Sequence, residues 1–359
     1  KQYEKALRIA SEQGYTLQET QAHLKLADAY TCDSKNQTPI AVDVKREQGY
    51  EREERSAYLK LGFAYRFDNR NQRVIEHYEK HLELTREQGH KILETLEYLR
   101  LGHAYILNNK NKRAIEQYEK ALEIARKQRC GKEETHAYIG LGDAYISDNQ
   151  KEMAIQHYQN ALEIAREQRY GKEETQAYIR LGNAHISNNS NRTAIQNFKN
   201  ALKTAKIGGY RKEEIQAYIG FGDACLCDNQ NQRAIQKYEK ALEIARNQGY
   251  KQHEAEVYFG LGGCYSANHQ VESAIQQYEK ALEIARKQEY KLQEATACLT
   301  SENVHRFNNK NETAIQKYEK ALKIAREQGC RKEETQVHLG LGLAYKSDYR
   351  YQTAIEHFE

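Results

Sequence analysis

The chain has one proline, no tryptophan and one methionine in 359 residues. Proline removes a backbone donor and breaks helices, so its near-absence excludes a loop-rich β fold and leaves room for long helices. Long apolar runs are also missing. No stretch approaches the roughly 18 residues a membrane span needs, and mean hydropathy is −0.96. No signal-peptide pattern follows Lys1. An excess of one charge is missing too: 55 basic against 51 acidic side chains leave +4, with the signs interspersed. That balance excludes a nucleic-acid track or a membrane-binding face read from charge alone. The cysteines are seven, an odd number, at irregular positions, which excludes a disulfide framework. They predict a reducing, cytoplasmic setting. Sequons at Asn36, Asn188, Asn191 and Asn311 fall in Asn-rich turns, where such matches arise by chance.

What is present is repetition. The stretch from Ala137 to Arg169 reads AYIGLGDAYISDNQKEMAIQHYQNALEIAREQR, and altered copies recur along the chain. The step is 40 residues from Ile75 to Ile115, Ile155, Ile195, Ile235, Ile275, Ile315 and Ile355. A period of this size means stacked supersecondary units, each touching its neighbours, in place of one globular core.

Each copy reads as two helices. Lys132 to Ser147 forms the first, helix A, with Glu133 and Glu134 in its first turn complementing the dipole. Asp148-Asn149 supplies the turn, because Asn and Asp tolerate left-handed backbone. Glu152 to Gln168 forms the second, helix B. Its apolar residues Ala154, Ile155, Tyr158, Ala161, Leu162 and Ala165 share one face. Glycine stops helix B in several copies, as at Gly49, Gly89 and Gly249. Gly142 is unfavourable in a helix interior, so its recurrence predicts a close helix crossing.

Tyr138, Leu141, Gly142, Tyr145, Ala154, Tyr158 and Ala161 have the internal spacing of a tetratricopeptide repeat, with Tyr in place of Trp and Phe. The chain resembles that family over almost its whole length. The family period is about 34 residues. The additional six lie between Ala161 and Tyr178, at the far end of helix B and the junction after it. The AREQG-like junction is similar to the Pins/LGN branch and to the relatives of tetratricopeptide repeat protein 28. The resemblance implies an all-α fold, a right-handed superhelix (α-solenoid) of stacked antiparallel helix pairs. Residues 1–16 read as the second half of a truncated repeat, 17–50 as a shortened repeat, 51–331 as seven full units and 332–359 as an incomplete one. Both ends cut a repeat, so a segment of a longer protein is expected.

By the same resemblance helix A faces a concave groove. Its candidate lining is Ile139, Asp143 and Ile146, then Ile179, Asn183 and Ile186, then Ile219, Asp223 and Leu226, then Phe259. An aliphatic strip with small polar groups suits peptide or helical segments of other proteins. The alternative is that these aliphatic side chains only pack against neighbouring units. The expected function is a non-catalytic interaction scaffold, within the spindle, cytokinesis or G-protein processes of the resembling families. The rival is a regulatory arm of a larger enzyme or effector protein. Self-association through exposed end repeats is expected.

No pattern predicts catalysis, a metal or a cofactor. Cys225-Leu-Cys227 is no CxxC pair. His77 and His81 stand four apart on a helix but lack the zincin glutamate, and read as surface histidines. Gly140-Leu-Gly142 lies inside a helix, where its amides are already bonded and cannot cradle phosphate. A groove that is aliphatic or acidic argues against RNA, and Arg100 and Arg180 are too few for a phosphate track.

Two units depart from the pattern. Ile40 to Arg46 spans six residues where Ile115 to Arg126 spans eleven. Cys298, Ser301, Glu302 and His305 replace Tyr, Leu, Gly and Tyr, which predicts a soft joint. Amides of Leu299–Phe307 should exchange with deuterium faster than those of Ile139–Ser147. Equal protection would show that the joint is not soft.

Overall fold

The computed structural model describes residues 71–87, 89–287, 311–328 and 331–358. The shortened repeat around Pro39, the opening half-repeat and the unit around Ser301 lie outside these residues. Among the described residues every regular element is a helix. They are α1 (Asn71–Glu87), α2 (Lys91–Leu107), α3 (Asn111–Lys127), α4 (Gly131–Ser147) and α5 (Lys151–Glu167), followed by α6 (Gly171–Ser187) and α7 (Asn191–Gly208). Then come α8 (Arg211–Cys227), α9 (Asn231–Asn247), α10 (Lys251–Ala267), α11 (Val271–Lys287), α12 (Asn311–Gln328), α13 (Arg331–Ser347) and α14 (Tyr351–Phe358). The chain divides into two compact units, Lys1–Glu173 and Glu174–Glu359. Within the first, each of α1 to α4 packs on the helix that follows, and helix A of one repeat (α2) also touches helix A of the next (α4). Within the second, α7 to α11 and α12 to α14 follow the same order, and α8 touches α10.

The turns within repeats close as expected. Asn149 is left-handed at φ 61°, and Asn109, Asn189 and Asn229 match it. The amide of residue 150 then returns to the Tyr145 carbonyl at 2.8 Å, which satisfies an end carbonyl of the helix. The junctions after helix B use the same left-handed residue. Gly89, Gly209 and Gly249 fill it in three copies, but Arg129 (φ 54°) and Arg169 (φ 58°) fill it in two. Glycine is therefore not what ends the helix; the hydrogen bond from Cys130 N–H to the Ala125 carbonyl, 2.9 Å, is made without it.

The extra length of helix B carries a staple. Arg126 in its last turn donates from Nε to Glu134 Oε1 at 3.0 Å and from Nη2 to the Tyr138 hydroxyl, both on the next helix. Arg246 does the same with Glu254 at 3.3 Å and with Tyr258. Lys206 stands in the equivalent place with its ammonium 5.3 Å from the Tyr218 ring centroid. Arg126 is about half exposed (55%), so the ion pair adds about 1 kcal/mol or less. It sets the angle at which one repeat leaves and the next begins.

The core is a column of small and large residues. Ala114, Ala121 and Ala125 are fully buried and leave room for Tyr118, which is 4% exposed. The Tyr118 ring lies between two glycines. A methyl group on Gly102, in the helix A of its own repeat, would come within 2.6 Å of the ring; one on Gly140, in the helix A of the next, within 2.2 Å. Phe198 is held in the same way by Gly182 and Gly220, and Tyr238 by Gly222 and Gly260. Gly142 makes the expected close approach, to Tyr158. Overpacking of this kind costs about 1–3 kcal/mol, so Gly140→Ala should destabilise the α3–α4 contact by that amount. Faster amide exchange in both helices, with Gly263→Ala on α10 as a comparison where the added methyl makes only ordinary van der Waals contacts, checks it.

Candidate functional site

In the first unit a groove of about 310 Å³ opens across α1, α2 and α4. Its apolar wall is Leu96, Leu99, Ala104, Leu107 and Ile139, and its polar groups are Arg100, His103, His136 and Asp143. Helix A of each repeat supplies them from the same positions: Leu99 and Ile139, His103 and Asp143, and Leu96 and His136 are pairs 40 apart. The groove is thus a product of the period.

The structure brings Ile139 and Asp143 together here. Ile139, Ile179 and Ile219 are 9%, 7% and 7% exposed, so most of each side chain is spent on packing. Ile146, Ile186, Leu226 and Phe259 are half-buried, Asn183 is exposed, and Asp143 and Asp223 are half-buried. The two aspartates have a partner that spacing does not reveal. The Tyr158 hydroxyl donates to Asp143 Oδ1 at 2.6 Å, and Tyr238 donates to Asp223 Oδ1 at 2.5 Å. Each core tyrosine thereby places one groove carboxylate.

The same positions in the second unit have different electrostatics. Glu256 on α10 stands where α4 has His136. Its carboxyl is pushed up to about 7, first by desolvation and second by the nearby Asp223 charge. Burial also raises Asp223, against the lowering effect of the Tyr238 hydrogen bond. A second cavity of about 230 Å³ in this unit is walled by Lys251, Glu254, Tyr258, Lys280 and Glu283, away from the expected groove residues.

His81 is corrected from surface to core. It is 4% exposed, because it occupies the place of the packing alanines Ala121 and Ala161. Its Nδ1 lies 3.0 Å from Glu97 Oε2, close enough for an ion pair though off the line of a hydrogen bond. Glu97 is fully buried and also contacts Arg100 Nη1. His77 is half-buried and its pKa falls to about 4, chiefly by desolvation. Cys225 and Cys264 are buried and Cys227 is exposed. Desolvation raises all three thiols, Cys264 to about 12, which disfavours the thiolate form. No group of three or more His, Cys, Asp or Glu among the described residues is arranged to hold a metal ion. Among the described residues no helix is long and apolar enough to cross a membrane.

Paired helices with a small–large–small face, a Tyr-Leu-Gly pattern and a helix-A groove define a helical repeat scaffold. A family profile described as tetratricopeptide repeat matches residues 92–167, 173–247 and 232–287. A second with the same description matches 57–92. The chain belongs to the tetratricopeptide repeat family. No curated protein matches it in sequence. Among solved structures, aspartyl phosphate phosphatase F from Bacillus subtilis is similar at a TM-score of 0.62 and 14% identity, covering 99% of this chain and 90% of that one. The apo form of RapI gives 0.58 and 18%, covering 86% and 85%. A signal transduction ATPase with a tetratricopeptide repeat sensor from Pyrococcus horikoshii gives 0.61 and 16%, covering 95% of this chain and 52% of that one. At these identities the likeness is one of fold.

A carboxyl whose folded pKa lies above its unfolded value of 4.5 favours folding while protonated. Its contribution is full below 4.5 and is lost as pH rises through about 7. Glu256 is exposed at the surface, so solvent screens much of this effect; Glu256→Gln should raise the melting temperature slightly at pH 8 and leave it unchanged at pH 4. Equal shifts at both pH values in thermal melts would contradict this.

Proposed function

We propose that the chain is a protein-interaction scaffold that binds peptide or helical segments along its helix-A face. The observation that carries this is the groove of the first unit, with an aliphatic wall and a few polar groups already in place before any ligand binds. A similarly folded Rap protein was solved complexed with competence and sporulation factor, at a TM-score of 0.58. That supports the capacity of the fold and names no partner for this chain. The junction resemblance to the Pins/LGN branch extends the proposal to spindle, cytokinesis or G-protein assemblies in the cytoplasm, on the AREQG-like text alone. Recognition is of proteins, without nucleic acid or membrane, and self-association of arrays through repeat faces is part of the proposal.

A second reading is supported by the Pyrococcus horikoshii ATPase, of which this chain matches about half the length. Here the array is the sensor arm of a larger effector, and the coding sequence on either side of the segment distinguishes the two readings. Under both, Ile146→Glu with Ile186→Glu should abolish retention on a peptide array while the circular dichroism spectrum stays helical. Unchanged retention would remove these half-buried positions from the binding face.

A further inference from the structure

Three departures from the repeat meet at one junction. His81 stands where other copies have Ala121, Ala161, Ala201, Ala241, Ala281 and Ala321. Glu97 stands where they have Ala137, Ala177, Ala217, Val257 and Val337. Arg100 stands where four copies have Gly140, Gly220, Gly260 and Gly340, with Lys60, Arg180 and Thr300 the other exceptions. In the next junction Ala121 and Ala137 share an apolar cluster with Tyr98. In this one a fully buried carboxylate and an imidazole replace that contact. A buried ion pair is usually less stable than the apolar pair it displaces, and rules broken together in this way mark functional sites.

The Arg100 substitution opens the groove. At Gly140, Gly220, Gly260 and Gly340 an added Cβ would come within 2.2–2.5 Å of the ring presented by the preceding repeat. Arg100 carries a Cβ at this position, so α2 cannot approach the Tyr78 ring as closely as Gly140 approaches Tyr118. Val74, Tyr78 and Arg100 line the groove.

Glu97 then fixes the guanidinium. It contacts Nη1 from below, and the Arg100 side chain remains 30% exposed at the groove. A guanidinium has five N–H donors in a planar fork that matches a carboxylate. Exposed His103 lies one turn further along α2, and His136 lines the opposite wall. Asp143, engaged by Tyr158, lies across from them and disfavours a dianion such as phosphate. The α2 wall runs from Leu96 to Leu107, about 16 Å of helix on both sides of Arg100. A strand passing through fits that length better than a chain end.

We propose that this groove selects a peptide in which an aspartate or glutamate side chain adjoins an aliphatic residue. The carboxylate pairs with Arg100, and the aliphatic side chain lies on Leu99, Leu107 and Ile139. This rests on the peptide-groove reading above and names its ligand class.

The test uses the full chain and fluorescein-labelled peptides, N-acetylated and C-amidated, carrying either Asp-Leu or Asn-Leu between Gly-Ser flanks. Anisotropy titration should show the Asp-Leu peptide binding about tenfold tighter, the scale of one charge-assisted hydrogen bond. Arg100→Met keeps the space and should remove that preference while leaving Asn-Leu binding unchanged. Arg100→Gly lets the ring close on α2 and should abolish binding of both, with helicity retained. Equal affinity for the two peptides, or a preference that survives Arg100→Met, overturns the inference but leaves the peptide groove standing. Tight binding only of an Asn-Leu peptide with a free C-terminus overturns it in favour of a chain end. Failure of every peptide overturns both readings.

Discussion

An aromatic ring held between two glycines is the contact on which the repeat depends. A glycine within a helix gives up about 1 kcal/mol against alanine, so the pair around Tyr118 gives up about 2 kcal/mol. Full burial of a large side chain returns a similar or larger amount, about 1.5–3 kcal/mol. The exchange is near neutral in energy, and its effect is on connectivity. The rings of Tyr118, Phe198 and Tyr238 each have one wall from their own repeat and one from the next, so these repeats do not complete their cores alone. This is the nearest-neighbour coupling expected of solenoids, located here in a few named atoms.

The helices were legible because the 40-residue period isolates them, and their observed ends fall within a residue of those read from Glu133, Asn149 and the apolar face of helix B. Gly142 was legible as a close crossing, since a glycine is conspicuous inside a helix. Its counterpart Gly140 was not. The ring that fills the space beside it comes from the previous repeat, and a pattern read within one unit cannot show that. His81 was misread for a related reason. Its spacing from His77 drew notice, whereas its register with the alanines of later repeats tells where it lies. Of the candidate lining read from register, Ile139 and Asp143 fall in the groove of the first unit, and Ile146 does not line it. The tyrosine hydroxyls beneath Asp143 and Asp223 did not, because a phenol at a core position reads as bulk.

The two units use one backbone plan for different surfaces. Leu96, Arg100, His103 and His136 line the first unit's groove, while the corresponding helix positions of the second include Asp223 and Glu256. Neither set disturbs the glycine–ring columns of Tyr118 and Tyr238, although Tyr118 and Gly140 themselves line the first unit's groove. Chemistry thus varies between copies while the period persists. The first unit's His81–Glu97–Arg100 set reaches from the core to the groove, and there packing and surface chemistry are joined.

The shared ring also governs how such a chain can change length. A duplication or loss of one whole period, whatever its starting point, rejoins each ring to a residue in the same phase, which is glycine at Gly140, Gly220, Gly260 and Gly340. A break that shifts the phase leaves a ring facing a side chain from the wrong register. Unequal crossing-over between copies is therefore structurally silent when it keeps step, and the array can gain or shed recognition surfaces without redesign of its interior.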